Sequence, residues 1–392
     1  MQPSDDLLNQ HAKGSSEEKM DLKDVQNASI FVSVINYRDC EGQYTLQNLF
    51  AKAANPSRVH VGYCLQYDPA HDSQDMNCHF ADLVQSGKKI RALFIPHTEA
   101  RGPIYARHLV QSKLFGGEKY YLQLDCHMRF IQDWDTMLIK MYHRCGDPKA
   151  VVTTYPAPYD AQYLPSLKKE FCSFKDWEGT VKDAHLLETR SSLLCADRFG
   201  KDDGFLRIRS KTLHKIPNKP MPSLFVAAGF SFSLSTVIKD CPQDPSLQCM
   251  FFGEETITAA RLWTNGYNFY APTRSIVYHL WDRNNVMRKG VWRELFEDGQ
   301  LKAMLVALET KSREKVHGIL SGQVKPNKGD KYGLGVERTL KEYQAFCGVD
   351  FAKMKMTDDA KFGGIEEANR LDTFEEFQQN KLMDMISSFQ IK

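Results

Sequence analysis

Two kinds of hydrophobic pattern organise this chain between a polar start and a charged end. Residues 1–27 are rich in Asp, Lys, Ser and Glu, bury too little apolar surface to hold a fixed structure, and read as a flexible tail. The pattern then changes sharply. Ile30-Phe31-Val32-Ser33-Val34-Ile35 is a β-branched apolar run that predicts a buried strand, released into a loop at Asn36-Tyr37-Arg38-Asp39. Helical spacing follows over residues 45–54 and stops at Asn55-Pro56. Residues 59–66 and 90–95 predict two further strands, and residues 103–114 a helix closed by Gly116-Gly117. Lys119-Tyr120-Tyr121-Leu122-Gln123-Leu124 is the next strand, and it delivers Asp125-Cys126-His127 at its C-terminal end.

Strands alternating with helices predict an α/β fold with a mostly parallel open sheet, and such sheets bind ligands beyond the carboxyl ends of their strands. Residues 160–222 are polar, irregular and interrupted by Pro217, Pro220 and Pro222, and read as a surface insertion in a catalytic domain spanning residues 28–300. The apolar grammar returns over residues 224–232, continues in a helix over residues 254–263 ended by Asn265-Gly266, and includes a strand over residues 275–279. Residues 301–392 are charged with helical stretches and read as a helical appendage.

Composition narrows the chemistry. Lys and Arg total 51 against 49 Asp and Glu, a formal net charge of +2, which lacks the basic signature of a nucleic-acid binder. No apolar run is long enough to span a membrane and the first residues lack a signal-peptide layout, so the expected location is cytoplasmic. The 10 cysteines include no Cys-x-x-Cys pair, which argues against a zinc ribbon and fits reduced thiols. The first strand is followed by no Gly-x-Gly-x-x-Gly, which argues against a dinucleotide-binding oxidoreductase.

Asp125 and His127 are the sharpest candidates for chemistry. An acid and an imidazole two residues apart at a strand end can reach one divalent ion once the chain leaves the pleat. The same spacing also suits a capping Asp beside a surface His. Arg101 and Arg107 flank the start of the helix at 103–114, where free amides and a guanidinium fork meet phosphate or sugar hydroxyls.

Thr98-Glu99-Ala100-Arg101-Gly102-Pro103-Ile104-Tyr105-Ala106-Arg107-His108 and Tyr121-Leu122-Gln123-Leu124-Asp125-Cys126-His127-Met128-Arg129-Phe130 resemble the signature blocks of the polypeptide-hydroxyproline α-N-acetylglucosaminyltransferases. Those enzymes have the GT-A fold and are distantly similar to the mucin-type polypeptide N-acetylgalactosaminyltransferases. The resemblance runs in order from residue 33 to residue 351. It implies that Asp125 and His127 form an Asp-x-His metal motif and that His279, in Val277-Tyr278-His279-Leu280-Trp281, is the third protein ligand. The implied metal is Mn2+, with Mg2+ as the alternative.

Other site residues follow from the same resemblance. Ser33, Tyr37, Arg38 and Asp39 leave the strand expected under the uridine of the donor, and Asp39 is expected to accept from uracil or ribose. Ala227-Ala228-Gly229 resembles a small-residue strand on which the transferred sugar rests, and Phe252-Gly253-Glu254-Glu255 the block whose first glutamate meets the sugar hydroxyls. Two acids opening a helix also have an ordinary explanation in the helix dipole. Arg107 is expected near the donor, and Trp281 with Arg283 and Arg288 in a loop closing over it. The activity implied is retaining, front-face transfer of N-acetylglucosamine from UDP-GlcNAc to a hydroxyproline of a protein acceptor, the adaptor subunit of a cullin-type ubiquitin ligase, in a pathway linked to oxygen sensing. Departures left open are another donor, a threonine acceptor, a catalytically silent sugar-nucleotide-binding module, and homodimerisation through the charged C-terminal region.

Overall fold

The structure is a computed structural model and describes residues 28–70, 72, 80–159, 189–281, 299–327 and 329–379. The expected tail at 1–27, Arg283 and Arg288 lie outside the described residues, as do 160–188 of the expected insertion.

In chain order the main strands are β1 (Ile30–Tyr37), β2 (Val59–Tyr67), β3 (Ile90–Pro96), β4 (Tyr120–Asp125), β5 (Met128–Phe130), β6 (Ala150–Thr153), β7 (Ala157–Pro158), β8 (Ser192–Phe199), β9 (Leu206–Thr212), β10 (Met221–Ser223), β11 (Phe230–Leu234), β12 (Asn268–Ala271) and β13 (Val277–His279). The helices are α1 (Glu41–Ala51), α2 (Phe80–Gln85), α3 (Pro103–Leu114), α4 (Trp134–Arg144), α5 (Thr236–Asp240), α6 (Glu254–Thr264), α7 (Gly299–Leu320), α8 (Leu340–Cys347) and α9 (Glu367–Thr373).

Eight strands form one sheet in the order β10-β12-β6-β11-β4-β1-β2-β3. β1 pairs in parallel with β2 and β4, β2 with β3, and β6 with β12, while β11 is antiparallel to both its neighbours and β10 is antiparallel to β12. The sheet is therefore mixed and mostly parallel, as the sequence pattern predicts. Its two faces bury different side chains by the period-2 rule. From β1, Ile30, Val32 and Val34 join Leu46, Leu49 and Phe50 of α1 and Trp134, Leu138 and Ile139 of α4. Phe31 faces the other way, toward Ile104 and Val110 of α3. Each such fully buried side chain stabilises the fold by about 1.5–3 kcal/mol, so the two layers hold the C-terminal ends of β1 and β4 rigidly side by side.

Two expectations change. Of the insertion expected over 160–222, the described part carries the hairpin β8–β9, in which Leu194, Ala196, Phe205 and Leu206 pack into the main core. Beyond residue 300 the described helices are likewise built in: Val316, Ile319 and Leu320 of α7 and Leu340, Tyr343 and Cys347 of α8 share that same core with Ile257 and Ala260 of α6. α8 begins at a capping box in which Thr339 accepts from the Glu342 amide and Glu342 accepts back.

A smaller sheet, β5-β13-β7, stands at the carboxyl edge of the main one. Its register sets His279 opposite Met128 and Tyr278 opposite Arg129. Arg129 is fully buried and its Nη2 donates to Glu41 Oε2 at 2.6 Å, which ties this sheet to the first turn of α1.

Candidate active site

Asp125 is the last residue of β4, and the chain turns through Cys126 and His127 before β5 begins. Thr45 of α1 pins this turn from below: its hydroxyl donates to the Cys126 carbonyl at 2.7 Å and accepts from the Met128 amide at 2.8 Å. The pairing of β5 with β13 then brings in a residue 152 positions away. His127 Nε2 lies 2.9 Å from His279 Nε2, and His279 Nε2 lies 3.5 Å from Asp125 Oδ2. Together the three offer two imidazole nitrogens and one carboxylate oxygen, all within 4.8 Å of one another. Adjacent ligands around a cation with bonds of about 2.1 Å sit about 3 Å apart, so these residues fit a single divalent ion. Nitrogen and oxygen donors together suit a first-row ion such as manganese.

A second constellation adjoins it. Arg107, in the first turns of α3 and 2% exposed, donates through Nη2 to Asp125 Oδ1 at 3.0 Å and through Nη1 to Glu254 Oε1, at the start of α6. Burial lowers the affinity of this guanidinium for its proton, but Glu254 and Asp125 outweigh that and hold it firmly charged. The Glu254 carboxyl is pushed above its ordinary value because burial outweighs the attraction of Arg107. Burial works in the same direction on Asp125, yet the hydrogen bond from His279 and the charge of Arg107 prevail and hold it well below the usual carboxylate range.

Close backbone approach completes the geometry. A Cβ on Gly229 would stand 2.6 Å from Asp125 Oδ2, so only glycine leaves the carboxylate its place. Gly253 has φ +95°, a left-handed conformation that calls for glycine, and three Phe205 ring atoms crowd the position of a Cβ at 3.1 Å.

The sequence matches the family described as Glycosyltransferase (GlcNAc) over residues 29–87 and 70–353, most of the chain. The chain belongs to this glycosyltransferase family. No curated protein sequence matches it. Among solved structures, GalNAc-T7 with UDP, GalNAc and Mn2+ is similar at 14% identity and TM-score 0.48, over 82% of this chain and 55% of that one. The chain thus spans about half the length of that protein. The mannosyltransferase PcManGT from Pyrobaculum calidifontis, in complex with GDP-Man and Mn2+, is similar at 9% identity and TM-score 0.41, over 81% of each chain. S. aureus TarS 1–349 is similar at 11% identity and TM-score 0.39, over 87% of this chain and 85% of that one.

The remaining sequence candidates divide into two groups. Trp281 stands at the cluster: its ring centroid is 4.0 Å from that of His279, its Nε1 donates to the Pro156 carbonyl at 3.0 Å, and it is 49% exposed. Ser33 lies in the middle of β1, buried between Gly62 and Gln123 of the neighbouring strands. Tyr37 ends that strand, half-buried against Ala100, Cys249 and Leu305. Arg101 is turned back on its own loop, donating to the carbonyls of Thr98 and Ala100 at 3.0 and 2.8 Å.

Three expectations are revised. Arg38, with φ +46°, is buried and grips Asp72 through Nε and Nη2 at 2.7 and 2.8 Å, so its charge is spent within the protein. Asp39 is 3% exposed; Oδ1 accepts from the Glu41 amide at 3.0 Å and Oδ2 faces His127 Nδ1 at 3.1 Å, which takes the carboxylate away from a nucleotide. Ala227-Ala228-Gly229 is a turn before β11 and not a strand, closed by a bridge between Ala227 and Phe230.

Sequence reasoning missed the coupling of Arg107 to both Asp125 and Glu254, and also the partner of Glu255. Glu255 accepts from the Tyr155 hydroxyl and from the Ala228 amide, the latter at 2.9 Å. The contacts to Arg107 join positions 18 and 147 residues away, and no local pattern signals them.

Proposed function

We propose that this glycosyltransferase moves N-acetylglucosamine from UDP-GlcNAc to a hydroxyproline of a protein acceptor, with retention of configuration. The observation that carries the donor half of this reading is the Asp125, His127 and His279 cluster beside the buried Arg107–Glu254 pair, in a chain of a GlcNAc-transferase family. The acceptor half rests on the resemblance of residues 98–108 and 121–130 to the hydroxyproline-modifying enzymes.

Asp125, His127 and His279 hold a divalent ion, Mn2+ before Mg2+. When bound, that ion neutralises negative charge growing on the diphosphate as the glycosidic bond breaks. Arg107 fixes the Asp125 carboxylate toward the ion and keeps it ionised. Glu254 has one oxygen engaged with Arg107 and offers the other to hydroxyls of the transferred sugar. Gly229 leaves the Asp125 carboxylate its place beside the cluster, and Gly253 carries the chain into α6 past the Phe205 ring. Trp281 covers the edge of the cluster and excludes water from the donor. As the resemblance implies, a donor phosphate oxygen on the acceptor side takes the acceptor proton, so that no side chain need act as the base. The acceptor protein is the adaptor subunit of a cullin-type ubiquitin ligase, and the enzyme acts in the cytoplasm. Among the described residues no helix is long and apolar enough to cross a membrane.

The test is release of UDP from a panel of sugar nucleotides, with hydroxyprolyl, prolyl and threonyl peptides of otherwise identical sequence. Mn2+-dependent turnover of UDP-GlcNAc that rises only with the hydroxyprolyl peptide supports the reading. Turnover restricted to the threonyl peptide, or to another donor, refutes it. Absence of any metal-dependent donor hydrolysis would instead identify a sugar-nucleotide-binding module.

A further inference from the structure

We infer that Asp39 is a positioning residue for the metal site: it selects the imidazole tautomer in which His127 presents a lone pair at Nε2 to the cation. This rests on the reading of Asp125, His127 and His279 as a cation site and adds a residue behind it. The two faces of the His127 ring look at different chemistry. Nε2 faces His279 and Asp125 across the cluster, and Nδ1 faces Asp39 Oδ2 at 3.1 Å. An imidazole with one proton carries it on one nitrogen only, and the hydrogen bond made by the distal nitrogen decides which. A carboxylate oxygen at Nδ1 draws the proton there and leaves Nε2 as a ligand. A carboxylate behind a ligating imidazole also fixes the ring plane and raises the basicity of the ligating nitrogen.

The surroundings of Asp39 show a side chain built into place. Its other oxygen accepts from the Glu41 amide at 3.0 Å, at the start of α1. Its backbone is clamped by Asn36, whose Oδ1 accepts from the Asp39 amide at 2.9 Å and whose Nδ2 donates to the Asp39 carbonyl at 2.8 Å. Asn36 is fixed in turn by the Tyr63 hydroxyl at 2.7 Å. The Cys126 thiol also points at Asp39 Oδ2, at 3.5 Å. The loop after β1 thus carries a carboxylate whose two oxygens serve two different N–H donors, one of them on the ring of a ligand.

That division of labour makes the Asp39→Asn substitution diagnostic. An amide has one oxygen and one NH2. If the oxygen keeps the Glu41 amide, the NH2 faces His127 Nδ1, which must then accept; the ring proton moves to Nε2 and the ligand is blocked. If the amide flips, Nε2 stays available but the Glu41 amide loses its acceptor.

Two measurements on the full chain without nucleotide decide the matter. Long-range 1H–15N correlation spectra of the metal-free protein report the tautomer of each histidine, with His127 assigned through His127→Gln. Titration with Mn2+ alone, followed by the electron paramagnetic resonance of the free ion, reports affinity. The expected result is an Nδ1–H tautomer at His127 in the wild type, an Nε2–H tautomer in Asp39→Asn, and Mn2+ binding weakened roughly 10- to 100-fold in that variant. A wild-type His127 carrying its proton on Nε2 overturns the inference whether or not the variant folds. So does a folded Asp39→Asn variant in which His127 carries its proton on Nε2 and which still binds Mn2+ within about twofold of the wild type. Wild-type protein that binds no Mn2+ refutes the cation site itself, and the tautomer inference with it.

Discussion

Replacing Arg107 by methionine exposes how the donor end of the site is held together. The side chain is 3% exposed and bridges Asp125, 30% exposed at its side chain, to Glu254, 5% exposed at its side chain. Methionine keeps much of the packing volume but leaves two carboxylates without their common cation. Removing one partner of a buried charge pair costs about 3–5 kcal/mol. That penalty belongs to ionised carboxylates, so it depends on pH. Burial already raises the Glu254 carboxyl, and loss of Arg107 raises it further. A carboxylate whose folded-state affinity for a proton exceeds that of the unfolded chain loses stability as pH rises through its folded value. Each shifted pKa unit corresponds to about 1.4 kcal/mol, so lowering the pH by two units restores up to roughly 2.7 kcal/mol for one group. Urea unfolding in the presence of a chelator, at pH 7.5 and pH 5.5, measures this directly. The expected deficit of Arg107→Met is about 3–5 kcal/mol at the higher pH and smaller at the lower. Arg107→Met combined with Glu254→Gln recovers much of the loss at pH 7.5, because one of the two stranded charges is gone. A deficit below about 1 kcal/mol, or one of equal size at both pH values, would refute the reasoning.

Three further outcomes follow from neighbouring contacts. Gly229→Ala places a methyl group 2.6 Å from Asp125 Oδ2 and is expected to weaken Mn2+ binding at least about tenfold, a loss of about 1.4 kcal/mol, with an unchanged circular dichroism spectrum; unaltered affinity would contradict the assigned close approach. Burial raises Glu255 to about 7, so the wild type loses stability as pH climbs from about 4.5 to 7, whereas Glu255→Gln flattens that interval. The variant ends up to roughly 3 kcal/mol more stable above pH 7, and parallel pH–stability curves would disprove the assignment. Thr45→Val strands the Cys126 carbonyl and the Met128 amide and is expected to cost about 2 kcal/mol; a loss under about 0.5 kcal/mol in urea unfolding would show that the turn after β4 is held by other means.

The parts of the fold governed by local rules were legible in advance. Pro103 at the first position of α3 and the β-branched run of β1 fixed those elements nearly to the residue, because helix entry and buried strands depend on neighbours in sequence. α4 was readable and was passed over: Trp134, Leu138, Met141 and Tyr142 recur at helical spacing and are all buried. β9 was readable too, because Leu206 and Ile208 alternate with Arg207, Arg209 and Lys211 in the pattern of a half-buried strand. Non-local chemistry was harder. Asp125 and His127 share one turn and announce each other, but His279 enters only through the β5–β13 register and was assigned by resemblance. Asp39 read as a residue of a nucleotide-facing loop, because the contact that defines it joins it to a ring 88 residues away.

Crystals grown with Mn2+ and UDP, measured at a wavelength where manganese scatters anomalously, test the central claim most directly. The account predicts one anomalous peak per chain, in bonding contact with Asp125, His127 and His279 together. A peak elsewhere, or one touching fewer than two of these side chains, would contradict it.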